Sequence, residues 1–449
     1  MEKVPGKRNN TFIFLYDGHA YHIDKRCHGK YRCSSRRSLD CYAVLMQNQD
    51  GTYTLKMPHN RPANDTQTTL QEIAAMKQEM LQMCRETIIR PKDIFDTVCR
   101  RNPTVAAKLS YRTMRSFLYR EQIRHRPETP QTIDEFEMAL RNYRPVESIY
   151  KGIALSDNGY RAIIFTSEAL LDVLPASTEI YTDGTFSVVP RTPPFAQLYT
   201  IHIRYMDTGV AVLFVLCENR TMDLYSAIWQ KIKKLRPNAL QRVQLVISDY
   251  ERAAMTVARE IFPEARLTGC WFYFNQAVLR RWRALGLTAA PRKVLDLTMA
   301  LPLAPADAFE RGLRIIQEEA DMISIRYPVV LQFTSYLRRT WLPFKQEVSV
   351  FGIPIRTNNF VESFHHTIFH KFGGIHPNIW QFLHSLGDLI TDQEINIVRL
   401  TEGLSVKRTR VRFNIKRDKR IAEAQAFLNL GRFTLKEFLW TLSNTAQLP

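Results

Sequence analysis

Between residues 11 and about 62 the chain alternates apolar or aromatic positions with polar ones. Phe12, Phe14, Tyr16, Tyr21 and Ile23 come first, then Tyr42, Val44 and Met46, then Tyr53, Leu55 and Met57, with Asp17-Gly18 and Asp50-Gly51 as turns. A period of two broken by Asp-Gly pairs predicts a small antiparallel sheet. Such a unit buries too little apolar surface to stand alone, and it carries Cys27, His28, Cys33, Cys41 and His59, so a structural zinc is the natural supplement. Arg61-Pro62-Ala63-Asn64-Asp65 reads as a linker. The period then lengthens: residues 66–145 are expected to be helical, with Leu70, Ile73, Met76, Met80 and Met83 on one stripe and a second run over 94–118.

From 178 onward the pattern returns to strands. Apolar runs over 179–189, 197–206 and 210–217, the last two split by Asp207-Thr208-Gly209, predict three linked strands. A helix is expected over 222–235, an apolar strand over 243–247, a helix over 251–262 and a short strand near 265–270, which together describe an open mixed sheet with crossover helices. Residues 273–350 show helical periodicity with several prolines and no repeated strand, and read as a helical insertion.

Composition narrows the class of partner. At 449 residues the chain should hold two to four domains, and 45% hydrophobic residues exclude a disordered protein. The formal charge of +18 points to a polyanionic partner, nucleic acid first, because Lys and Arg gain affinity by releasing counterions from phosphates. No apolar run is long enough to span a membrane and the start lacks a signal-peptide core, so a soluble intracellular protein is expected. Of seven cysteines, Cys84, Cys99, Cys217 and Cys270 fall in apolar or helical contexts that favour reduced thiols.

Three carboxylates carry the candidate chemistry. Asp249 lies just past the apolar run 243–247, at the carboxyl end of a strand where open sheets place their sites. Asp183 sits within the first strand, opened by Gly184, and Glu362 sits on a helical segment with Val361, Phe364, Ile368 and Phe372 on its apolar side and Thr357-Asn358-Asn359 as its cap. If the first strand neighbours the 243–247 strand, the two aspartates can share a cation. Phosphoryl transfer needs hard oxygen ligands for two Mg²⁺ or Mn²⁺ ions, which three carboxylates with water and phosphate oxygens can supply.

Tyr-Thr-Asp-Gly-Thr-Phe, Ser-Asp-Tyr-Glu-Arg-Ala, Gly-Cys-Trp-Phe-Tyr-Phe-Asn-Gln-Ala and Thr-Asn-Asn-Phe-Val-Glu-Ser-Phe-His occur in that order. Over about residues 178–390 the chain resembles a Mutator-like (MULE) transposase domain. The resemblance implies a ribonuclease-H-like fold with an aspartate-aspartate-glutamate triad at Asp183, Asp249 and Glu362, acting on DNA in the nucleus. The family's usual His after the Cys-aromatic-Phe element is Tyr273 here. The amino-terminal unit, through Phe14-Leu15-Tyr16-Asp17-Gly18-His19-Ala20-Tyr21, Tyr31-Arg32-Cys33, Cys41 and Pro58-His59-Asn60-Arg61-Pro62, is similar to a FLYWCH-type zinc finger. That similarity maps ligands to Cys33, Cys41 and His59. Arg61 replaces the second His and cannot bind zinc, so either Cys27 or His28 supplies the fourth ligand or the finger holds metal weakly or not at all.

The expected fold class is therefore α/β: a ribonuclease-H-like mixed sheet with a helical insertion, preceded by a small all-β zinc-finger-like unit and a helical DNA-binding region. The expected divisions are 1–62 for the finger-like unit, 63–150 for the basic helical region, 151–400 for the catalytic domain and 401–449 for a basic helical tail. Arg112, Arg115, Arg120, Arg124 and Arg126 are candidate phosphate contacts, either that or a solvated helix face. Lys407, Arg408, Arg410 and Arg412 could form a nuclear address, a DNA arm, or both. One of His365 and His366 could share the face of Glu362 and touch metal or phosphate, while Trp271 and Trp341 read as core by default. Two functions fit: a metal-dependent transposase or its endonuclease remnant, with paired DNA ends implying a homo-oligomer, and a domesticated, catalytically silent DNA-binding or chromatin protein. An RNA-cutting enzyme of the same fold is a third.

Overall fold

A computed structural model describes residues 1–5, 11–60, 66–87, 89–126, 128–354, 356, 359–406, 412–443 and 445. At 5, 66–70, 359–360, 362 and 412–414 the description is of the backbone. The linker 61–65, with Arg61, and the basic residues Lys407, Arg408 and Arg410 lie outside the described residues, as do Thr357 and Asn358. The chain forms two compact units, one of Met1–Glu128 with Asn142–Pro145 and one of Thr129–Arg141 with Val146–Pro449.

The first unit opens with a six-stranded antiparallel meander: β1 (Glu2–Pro5), β2 (Phe12–Tyr16), β3 (His19–Ile23), β4 (Lys30–Cys33), β5 (Val44–Gln47) and β6 (Tyr53–Met57), in that spatial order. The Asp17-Gly18 turn between β2 and β3 has both residues in the left-handed region, as a tight two-residue hairpin requires. Its apolar face is small: Tyr21, Tyr31 and Leu45 with Phe14 and Tyr53 make one cluster, and Cys33, Cys41 and Ala43 another. Helices α1 (Thr66–Glu86), α2 (Pro91–Arg101), α3 (Pro103–Ala106) and α4 (Tyr111–Arg124) follow. Met76, Met80, Cys84, Ile94, Phe95, Val98, Met114 and Leu118 form their shared core, which is the stripe that the 3.6-residue period implies.

The second unit is built on a seven-stranded mixed sheet, after helix α5 (Ile133–Asn142). Its strands are β7 (Tyr150–Leu155), β8 (Arg161–Phe165), β9 (Glu179–Thr185), β10 (Gln197–Tyr205), β11 (Thr208–Cys217), β12 (Leu245–Ser248) and β13 (Arg266–Gly269), in the order β13-β12-β9-β10-β11-β8-β7. β9, β10 and β11 pair antiparallel, and β12 joins β9 in parallel with β13 beyond it. The two parallel additions need crossovers, supplied after α6 (Glu168–Asp172) by α7 (Met222–Leu235) and α8 (Arg252–Ile261). Thr221 caps α7 by accepting from Leu224 N–H, and Leu224, Tyr225, Ile228, Trp229 and Ile232 bury its inner stripe. The hairpin β7–β8 is an addition that the alternation pattern did not announce. β9 also ends at Thr185 rather than continuing to 189: the ladder to β10 closes at Thr185–Leu198, and the chain turns away before the prolines at 190, 193 and 194.

From β13 the chain becomes helical: α9 (Trp271–Ala284), α10 (Lys293–Ala300), α11 (Phe309–Ser324), α12 (Val330–Tyr336), a π-helical turn at Leu337–Trp341 and α13 (Lys345–Val348). No strand occurs here among the described residues. Trp282, Phe309, Leu313, Phe333 and Leu337 are buried in one core with Trp341 at its margin. Helices α14 (Asn359–Lys371) and α15 (Ile379–Thr401) follow, and then α16 (Arg412–Asn429) and α17 (Leu435–Ser443) return to that core with Ile421, Ala424, Phe438, Leu439 and Leu442. The basic segment after 401 is thus in part a structural wall, each buried Ile, Leu or Phe side chain adding roughly 1.5–3 kcal/mol. Among the described residues no helix is long and apolar enough to cross a membrane.

Candidate metal-binding sites

The parallel pairing of β12 with β9 sets Leu245 beside Glu179, Val246 beside Ile180 and Ile247 beside Tyr181. Both strands run toward the same edge, so the residues that end them emerge together: Thr182 Oγ1 donates to Ser248 Oγ at 3.1 Å, and Asp183 and Asp249 are each the next residue along. They line one cavity of about 290 Å³ with Gly184, Phe186, Tyr250, Glu251, Tyr273, Ala277, Arg280 and Trp341. The condition on which the two aspartates could share a cation, that the first strand neighbour the 243–247 strand, is met.

Asp183 is almost wholly buried, at 2% exposure. Its Oδ1 accepts the Gly184 N–H at 2.8 Å, and its Oδ2 accepts the hydroxyl of Tyr273, from the first turn of α9. Gly184 has no room for a side chain, since a Cβ there would stand 2.3 Å from Gln197 Oε1, and the Gln197 amide is itself tied to the Tyr225 hydroxyl. Beneath Asp183, Thr200 Oγ1 donates to its main-chain carbonyl at 3.3 Å and lies 3.1 Å from His202 Nε2. Burial lowers the pKa of His202 to about 3, so this layer is neutral.

Asp249 is half-buried in the turn from β12 to α8. Burial raises its pKa, against the Glu251 N–H and Ser248 hydroxyl that both reach Oδ1 at 3.3 Å and the positive charge of Arg220. Glu251 brings a third carboxylate to the same cavity, and its pKa is raised too, by burial first and then by the charge of Asp249. Desolvated acids, one of them raised further by the charge of the other, are what a divalent cation relieves, and carboxylate oxygens are the ligands Mg²⁺ and Mn²⁺ prefer. The donor set therefore fits such an ion.

Glu362 belongs to α14, whose Val361, Phe364 and Ile368 are buried together with Phe372 just past its end, as the apolar spacing required. Three positions on, His365 brings Nε2 to 3.9 Å from Asp183 Oδ2, whereas His366 is exposed. Burial, with a smaller contribution from His366, lowers the pKa of His365 to about 4, so near neutral pH the contact is between a neutral ring and an acid. Glu251 and the Tyr273–Asp183 contact are the site features that the sequence reading missed. Glu251 lay in plain view two residues after Asp249. The hydroxyl of Tyr273 meets an acid 90 positions away, and no local pattern announces that.

In the first unit, Cys33, Cys41 and His59 bring one ligand atom each within 4.8 Å of one another. Cys41 Sγ lies 3.2 Å from His59 Nδ1, His59 Nε2 lies 2.7 Å from the Tyr21 hydroxyl, and the His19 ring stacks on His59 at 3.4 Å. Two thiols and an imidazole are a donor set that could hold zinc. Cys27, exposed in the turn between β3 and β4, and its neighbour His28 do not join this group. All seven cysteines are free thiols.

Arg112, Arg115, Arg120 and Arg124 are exposed on α4. Arg124 shares buried Glu121 with Arg85, and half-buried Arg126 donates to Gln122 Oε1 at 3.3 Å. Arg412 begins α16, while Lys407, Arg408 and Arg410 lie outside the described residues. Trp271 is core, donating its indole N–H to the Met299 carbonyl, and Trp341 walls the carboxylate cavity.

The family model of the MULE transposase domain matches residues 180–277. The matched stretch runs from β9 into α9, carries Asp183, Asp249, Glu251 and Tyr273, and stops short of Glu362. No curated protein matches the chain.

Proposed function

We propose that this chain is a transposase-derived, metal-dependent nuclease in which Asp183, Asp249 and Glu362 hold two Mg²⁺ or Mn²⁺ ions for phosphodiester cleavage and strand transfer. The observation that carries the reading is the pair Asp183 and Asp249, set side by side by parallel strands at the wall of one cavity, inside the stretch that the transposase family model matches. The strand order β13-β12-β9-β10-β11, three antiparallel strands with two parallel additions, supports a ribonuclease-H-like core, extended here by β8 and β7. Position 362 falls three residues before His365, on the same face of α14, and His365 reaches toward Asp183, which supports a carboxylate from this helix as the third ligand.

When bound, the ions would activate the attacking water or 3′-hydroxyl and stabilise the leaving oxygen. The protein's own part is positional. Gly184 N–H fixes one oxygen of Asp183, Ser248 and Glu251 N–H fix one oxygen of Asp249, and Arg280 supplies positive charge at the cavity wall where a phosphate would lie. Exposed Arg112, Arg115, Arg120 and Arg124, with the segment Lys407, Arg408, Arg410 and Arg412, would contact the DNA backbone, and the net charge of +18 suits that partner. The amino-terminal unit would be a FLYWCH-type finger with zinc on Cys33, Cys41 and His59. Work on paired DNA ends implies a homo-oligomer in the nucleus.

A second reading, a silent DNA-binding descendant, is favoured by one observation: the Tyr273 hydroxyl engages the very acid that should bind metal. Nicking of supercoiled DNA by the full chain separates the two. Cleavage that requires Mg²⁺ or Mn²⁺ and disappears in folded Asp183→Asn and Asp249→Asn proteins supports the nuclease. DNA binding with no metal-dependent cleavage by wild type sinks it in favour of the silent binder.

A further inference from the structure

We infer that Tyr273 is a gate on Asp183: its hydroxyl takes the place at Oδ2 that a divalent cation would use, so the observed arrangement is a closed form of the metal site. The inference rests on the reading of Asp183 as a cation ligand. A ligand carboxylate is commonly oriented by a hydrogen bond to one oxygen while the other faces the metal. At Asp183 the Gly184 N–H already serves Oδ1 at 2.8 Å, which leaves Oδ2 to face an ion. Oδ2 receives the Tyr273 hydroxyl instead, and Tyr273 itself walls the cavity that Asp183 and Asp249 share. The donor therefore comes from the side on which a cation shared by the two aspartates would stand.

Backbone geometry makes the gate movable. Tyr273 is in the first turn of α9, with its ring edge-on to Phe272 at 5.9 Å, so the helix anchors the main chain while the ring borders open volume. Rotating the ring into that cavity would break the hydroxyl's contact with Oδ2 without moving the sheet. His365 Nε2 lies 3.9 Å from the same oxygen. A tyrosine that only oriented Asp183 would act as a positioning residue in favour of metal, and its loss would weaken binding. A gate predicts the opposite sign.

The test is Mn²⁺ binding to the full-length protein, followed by the electron paramagnetic resonance of free Mn²⁺, for wild type, Tyr273→Phe and Asp183→Asn. Deleting one hydroxyl leaves the ring and its packing. The gate predicts that Tyr273→Phe binds Mn²⁺ about threefold or more tightly than wild type, because a charge-assisted hydrogen bond no longer competes, and that Asp183→Asn loses that binding. Equal or weaker binding by Tyr273→Phe, with Asp183→Asn still defective, overturns the gate and leaves the metal site standing. Binding that Asp183→Asn does not diminish, or none by any of the three proteins, overturns both.

Discussion

The charge of Asp249 raises the pKa of Glu251, two residues further on where β12 gives way to α8, and burial raises the pKa of both. Among the described residues neither acid has a cation in salt-bridge contact, although Arg220 acts on both from a distance. The fold thus holds negative charge at a cost there, in a wall it shares with Asp183.

That cost makes Asp249→Asn a stabilising change in the absence of metal. A carboxyl whose folded pKa is raised contributes most stability at low pH and loses it as pH rises, so at pH 7 the charged form opposes folding and a neutral amide relieves it. Differential scanning calorimetry in EDTA should show a melting temperature about 1–4 °C above wild type. Adding Mn²⁺ should raise the melting temperature of wild type and leave Asp249→Asn nearly unmoved. A variant less stable than wild type in EDTA would contradict the desolvation argument.

Zinc analysis addresses the first unit. With Cys33, Cys41 and His59 as ligands, the purified chain should carry one zinc by elemental analysis, and Cys41→Ser or His59→Ala should reduce it to near zero. The six strands bury only small clusters, so loss of the ion should also expose this unit to proteolysis. Full zinc occupancy in both variants would show that another set of residues holds it.

Acid should weaken the second unit through its buried imidazoles. The pKa of His365 is lowered to about 4 and that of His202 to about 3, from an unfolded value near 6.5. Between those limits the unfolded chain binds more protons than the folded one, so stability is present above pH 6.5 and is lost as pH falls toward 4. Asp249 and Glu251 act with the opposite sign, and the comparison of variants isolates the histidine. His365→Gln should recover roughly 1–3 kcal/mol of the acid-induced loss relative to wild type. Parallel stability curves from pH 7 to 4 for the two proteins would refute the assignment.

How much of this the sequence discloses depends on whether the contacts are local. An apolar run ending in an acid was enough to place Asp249 at the mouth of a strand, and helical spacing was enough to bury Val361, Phe364 and Ile368. The hairpin β7–β8 went unread because its strands are short, and β8 carries the nearly unbroken apolar run Ala162-Ile163-Ile164-Phe165, which lacks the period of two. Residues after 401 read as a basic tail because the Lys and Arg run dominates the composition, although Ile421, Ala424, Phe438, Leu439 and Leu442 were spaced for burial. Tyr273 stood out only as a departure from the usual His. Its role depends on a partner in β9 that the fold alone brings near.

The most direct test of the central claim asks which segments surround the bound cation. Fe²⁺ substituted for Mg²⁺ and treated with ascorbate and peroxide cuts the polypeptide beside its ligands, and mass spectrometry locates the cuts. The account predicts cleavage near residues 183, 249 and 362 together, competed by Mn²⁺. Cuts confined to other segments, or cuts near 183 and 249 with none near 362, would contradict a three-carboxylate site.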